Sequence, residues 1–210
     1  MMLRQRWPRA LLLALPGLML AGFGAVHPAP LEATNAEWWT TIHVLLLPVF
    51  PLLAVAQWIL LTPAHPLLRW AGRLASFGFA AFYTGLDAVA GIAAGTVTTH
   101  EHAVTPITGS VFTIGDMLGY IGASCFLAAN LCITADTTYR AGWRALPGGL
   151  ILLAASVSFI DSHIFWPRGV LTMLAVAVSM LLLALHMDPP PIDNPARTTR
   201  GTSRRSTPPG

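Results

Sequence analysis

Six apolar runs decide what this chain can fold into. They occupy residues 10–26, 38–61, 71–97, 108–135, 146–165 and 169–187. Most reach the roughly 20 apolar residues that a helix needs to cross a hydrocarbon core of about 30 Å. In lipid a segment must satisfy its own backbone hydrogen bonds, so such runs insert as helices. Composition agrees, with 54% of residues hydrophobic and only 10% charged, where a soluble domain carries about a quarter. The expected fold is all-α, one polytopic bundle of six transmembrane helices over residues 1–187. A basic, proline-rich disordered tail follows at 188–210. The start "MMLRQRWPR" and the small residues of "AGFGAVHPA" also fit a cleaved signal, which would leave five spans.

Orientation follows from arginine, since the chain has no lysine. Arg4, Arg6, Arg9, Arg69, Arg73, Arg140, Arg144 and the tail arginines fall on one side of a six-span arrangement, and only Arg168 on the other. The positive-inside rule places both termini in the cytoplasm and the bundle in the plasma (inner) membrane. The lipid bilayer is therefore the expected partner. Scattered arginines without a basic helix or an RNA-binding motif exclude nucleic acid. No glycine pattern for phosphates follows a strand, which excludes a nucleotide enzyme of the usual kinds. Nothing singles out a protein partner or an oligomer.

Acidic residues and histidines show the opposite bias. His27, His100 and His102 lie in outer loops, and His43, Asp87, Asp116, Asp161 and His163 just inside the outer boundary. By helical rise, His43 and Asp161 sit roughly 8 Å below interfacial tryptophans, and Asp87 and Asp116 about 12–15 Å from their helix ends. A charge at such depth costs at least a few kcal/mol facing lipid, so these groups should face one another or water. Tyr83 lies one turn before Asp87, and Tyr120 one turn after Asp116, which gives each carboxyl a polar neighbour on its own face.

Three readings are open. The groups could join helices by hydrogen bonds in a structural or assembly protein. They could hold a divalent metal, zinc or copper, with His43, Asp87, Asp161 and His163 as ligands. Asp116, Tyr83, Tyr120, His27, His100 and His102 would then complete the pocket. A catalytic form would be an intramembrane metal-dependent hydrolase. They could also serve a proton- or ion-coupled transporter. No HExxH or CxxC spacing decides among them, and whether the chain is an enzyme stays open.

Further signals concern shape. Gly91-x-x-x-Gly95 and Gly115-x-x-x-Gly119 predict close contact between the third and fourth spans. Pro48 and Pro51 predict a kink one turn below His43. Cys125 and Cys132, two turns apart on one helix, are too far apart to bridge and read as buried apolar residues. In "SFIDSHIFWPRG", Asp161 and His163 are two residues apart and so face opposite ways on a helix. Asp161 is expected to face the core and His163 the rim, unless Pro167 unwinds the helix end.

Overall fold

The apolar runs become helices throughout residues 2–186, which the computed structural model describes, with side chains from residue 6 onward. The tail expected at 188–210 lies outside the described residues. The helices are α1 (Met2–Val26), α2 (Ala36–Leu46), α3 (Val49–Leu60) and α4 (Pro66–Leu86). A π-helical stretch at Asp87–Ala93 leads into α5 (Ala94–Glu101). Then come α6 (Pro106–Ala141), a short 3₁₀ turn (Gly142–Ala145), α7 (Leu146–Ser162) and α8 (Arg168–Leu185).

Five helical segments are long and apolar enough to cross a membrane: Arg6–Val26, Ala36–Leu60, Pro66–Glu101, Pro106–Ser162 and Arg168–Leu185. The fourth holds 57 residues and contains two of the expected runs. The two runs join because only a short 3₁₀ turn, Gly142–Ala145, separates α6 from α7. Gly142 reverses its direction with φ 68° and ψ −155°, a conformation open to glycine but not to side-chain-bearing residues. Helix α7 then packs back along α6, where Asn130 Nδ2 donates to Ser156 Oγ at 2.8 Å.

The second segment is broken as Pro48 predicts, with α2 ending at Leu46 and α3 starting at Val49. The glycine motifs behave differently from one another. Gly115 and Gly119 pack on Ala90 and Leu86, so α6 does approach the third segment closely. Gly91 and Gly95 face His43 and Thr40 instead, so the motif of the third segment serves α2. Where lipid surrounds a bundle there is no hydrophobic drive between helices, and close packing and polar bonds must hold them.

Four phenylalanines mark where the helices meet. Phe50, Phe79, Phe126 and Phe159 are fully buried, one each from α3, α4, α6 and α7. Phe79 and Phe126 lie 4.8 Å apart between ring centroids, and Phe126 and Phe159 5.5 Å. Below this layer, toward the α3–α4 connection, Gln57 donates to Asn130 at 2.9 Å. Deeper still, Asp136 accepts from the His65 backbone at 3.1 Å and pairs with Arg140 at 2.6 Å. Above the layer lies the histidine site.

Candidate metal centre

Three histidines converge above the aromatic layer from three different elements. His27 follows α1 directly, His43 sits in the last turn of α2, and His163 opens the turn between α7 and α8. One ring nitrogen from each lies within 4.8 Å of the others. Each position has a local cause. Gly91 leaves room for the His43 ring, which any Cβ there would strike. Gly24 and Gly169 leave room for the backbone at Ile164, so the turn carrying His163 can pass between α1 and α8.

The hydrogen bonds fix the tautomers of two rings. His27 Nδ1 lies 2.6 Å from the Pro28 carbonyl, and His43 Nδ1 2.6 Å from the Trp39 carbonyl. A carbonyl only accepts, so both Nδ1 atoms carry the hydrogen and, in the neutral rings, both Nε2 atoms carry a lone pair. Those two Nε2 atoms face each other at 3.4 Å. With no hydrogen between them they repel, unless a cation lies between. Burial holds the pKa of His27 below the ordinary imidazole value, its bond to Pro28 only partly offsetting this, so that ring is neutral near pH 7.

The third ring differs. The Tyr83 hydroxyl lies 2.7 Å from His163 Nδ1. A phenol both donates and accepts, so when His163 Nδ1 donates to it the His163 Nε2 lone pair is free. Asp87 supplies the nearest carboxylate. It is fully buried, its Oδ1 lies 3.9 Å from His43 Nε2, and neither of its oxygens has a hydrogen-bond partner among the described residues. It opens the π-helical stretch, a rare conformation that recurs at functional sites. Trp39 ties this stretch to α2, its indole donating to the Ala90 carbonyl at 3.2 Å. Trp39 and Phe165 close the site, each within about 5 Å of the His27 ring.

One of the distances matches a tetrahedral ion directly and the others exceed it. A zinc–imidazole bond is about 2.0–2.1 Å, so two such nitrogens on a tetrahedral ion are about 3.3–3.4 Å apart. The His27–His43 separation already matches that edge. His43 to Asp87 is about 0.6 Å long of it. The widest separation in the trio requires the third ring to close by about 1.4 Å. The Pro28 and Trp39 carbonyls, accepting from the two Nδ1–H groups, are the kind of outer partner that metal-binding histidines ordinarily have.

The structure distributes the remaining expected residues as follows. His43, Asp87 and His163 come together as a set with Tyr83. His27, expected only as a loop donor, stands at the centre. Asp161 does not face the core: more than half exposed, it is bound by Arg168 at 2.7 and 3.3 Å. The physical reason is the helix end. Helix α7 stops at Ser162, and His163 adopts φ 46° and ψ −136°, which swings it inward while Asp161 stays on the outer face. Asp116 and Tyr120 sit on α6 and are exposed. His100 borders a separate polar groove with Glu37 and Thr40, and His102 is an exposed left-handed cap of α5. Neither belongs to the cluster. Sequence reasoning missed Trp39 and Phe165 as walls, and the Gln57–Asn130–Ser156 layer. The latter had a signal, an Asn and a Gln within apolar runs.

A cavity of about 510 Å³ adjoins the cluster. It reaches His43, Tyr83 and His163, is walled by Trp39, Phe112 and Phe165, and is bordered by Asp116, Tyr120 and Asp161. Ala29, Pro30 and Leu31 of the α1–α2 link and Val104 before α6 also line it. No family model, curated protein or solved structure matches the chain.

Proposed function

We propose that the chain is a six-span membrane protein, both termini cytoplasmic, that holds a divalent transition metal near its outer face. Zinc or copper fits the donors best, because imidazole is the preferred ligand of both. His27, His43 and His163 bind it, and Asp87 supplies the fourth donor or the compensating charge. The fold-back of α7 on α6 supports six crossings, since it divides the 57-residue segment into two helices of membrane-spanning length. The arginine distribution supports the orientation.

The observation that carries the reading is the pair of lone-pair nitrogens facing each other at 3.4 Å. Residues that only join helices pair donors with acceptors. Here two acceptors meet, beside a buried carboxylate with no donor. A cation removes both conflicts. A shared proton is the weaker solution, because N–H···N contacts of 3.4 Å lie beyond the usual hydrogen-bond range of about 2.7–3.2 Å. A transport path is disfavoured by the packed phenylalanine layer beneath the site.

The cavity beside His43 and His163 favours an open, reactive centre over a structural one. A molecule lying there meets the metal, which can polarise a carbonyl or activate water for hydrolysis. Metal analysis of the detergent-purified protein tests the reading. One zinc or copper per chain is expected, lost in His27→Ala and His43→Ala and retained in His100→Ala. A metal-free protein that also fails to take up either ion would overturn it.

A further inference from the structure

We propose that the cavity binds an apolar molecule carrying an ammonium group, held by Asp116 and Tyr120 of its lining. This names the ligand class for the site above, and rests on that reading only for what the other end of the molecule meets.

Four observations converge. Asp116 borders the cavity, and its carboxyl has no hydrogen bond or ion pair among the described residues. It lies ten residues into α6, roughly 15 Å along the helix from its outer end. A carboxylate at that depth needs a charged or wet partner, since lipid offers none. The second lining carboxyl, Asp161, is already neutralised by Arg168, so of the two acids that line the cavity Asp116 is the unpaired one. Among the described residues no arginine or lysine lines the cavity, so none of its described walls supplies the partner. Five aromatic side chains stand among the otherwise aliphatic walls: Trp39, Tyr83, Phe112, Tyr120 and Phe165. Aromatic faces beside one acid attract cations, and ammonium groups above all, through the negative ring face. Tyr120 stands one helical turn from Asp116, so its ring and the carboxyl can meet the same ammonium. The volume of about 510 Å³ falls within the range of small-molecule sites, about 300–1,000 Å³.

The experiment uses the full chain in nanodiscs of zwitterionic lipid, with empty nanodiscs as the blank. Three probes share one ring system: naphthylmethylamine, naphthylmethanol and naphthylacetate. Calorimetric titration should show saturable binding of the amine, about tenfold tighter than the alcohol, the size of one charge-assisted bond. Naphthylacetate should not bind above the blank. Asp116→Asn should bring amine and alcohol together, and Asp116→Glu should keep them apart. Asp116 is exposed and unpartnered, so its replacement leaves the fold intact. Filling the cavity with Ile160→Trp, at another lining position, should abolish amine binding. Titrations are run on untreated and on chelator-stripped protein. Amine selectivity in the stripped protein supports the pocket whatever the metal content, so this inference and the metal reading fail separately. Amine binding equal to the blank, or a preference unchanged in Asp116→Asn, would overturn the proposal.

Discussion

At the scale of single residues, the site depends on which nitrogen carries a proton. His27 and His43 are held in one tautomer by backbone carbonyls, and only His163 depends on a side chain for its orientation. In the proposed centre Tyr83 is therefore a positioning residue, whose hydroxyl leaves the His163 Nε2 lone pair free when it accepts from Nδ1. Removing an outer partner of a metal-bound histidine typically costs about 10–100-fold in affinity. Tyr83→Phe should weaken metal binding by about that factor in a competition titration, while its ring still stacks on Phe159 at 4.7 Å and preserves the bundle. Unchanged affinity would show that His163 is not a ligand. The sequence made His43, Asp87 and His163 visible because ionisable groups inside apolar runs are costly and need a reason. It undervalued His27, which lies just past the first run. No depth argument reaches a loop, and only the tertiary fold turns that ring inward.

At the scale of elements, the turn after α7 explains the pairing of Asp161 with His163. The two cannot face one point on a helix, and the chain solves this by ending the helix between them. The positive φ of His163 costs about 1–3 kcal/mol for a non-glycine residue and must be held in place by its surroundings. Arg168 does part of this, reaching from the start of α8 to Asp161 and to Ser158 on α7 and so clasping both ends of the turn. Asp161→Asn should lower metal affinity without removing a ligand, and an Arg168→Ala variant should behave the same way. Total loss of metal in Asp161→Asn with full retention in Arg168→Ala would instead make Asp161 a ligand. The sequence identified Pro167 as the breaking point but could not choose which side chain would turn inward. Helical phase favoured Asp161, and the unwound end reversed the choice. The glycine motifs show the same limit. Small residues announce close approach, yet the partner of Gly91 is His43 on α2 and not α6.

At the scale of the whole molecule, polar groups are layered. The histidine site lies on one side of the phenylalanine layer and the Gln57–Asn130–Ser156 and Asp136–Arg140 groups on the other. The all-helical class and the membrane character were legible from composition and run length alone. The joining of two runs into one 57-residue segment was not, because the turn at Gly142 is a backbone property of one glycine. Orientation is testable by cysteine labelling in a variant lacking Cys125 and Cys132. A cysteine at position 102 should react with impermeant reagent from outside and one at position 142 only after the membrane is opened. The reverse pattern would place the site on the cytoplasmic face.

The central claim is that three imidazoles converge on one metal ion. X-ray absorption spectroscopy of the zinc-loaded protein measures this directly. The expected spectrum has imidazole scattering from three rings at about 2.0–2.1 Å with one oxygen donor, and this shell should vanish in His27→Ala, which loses the ion. A shell of oxygen donors alone, or one whose imidazole count is unaffected by His27→Ala, would contradict it.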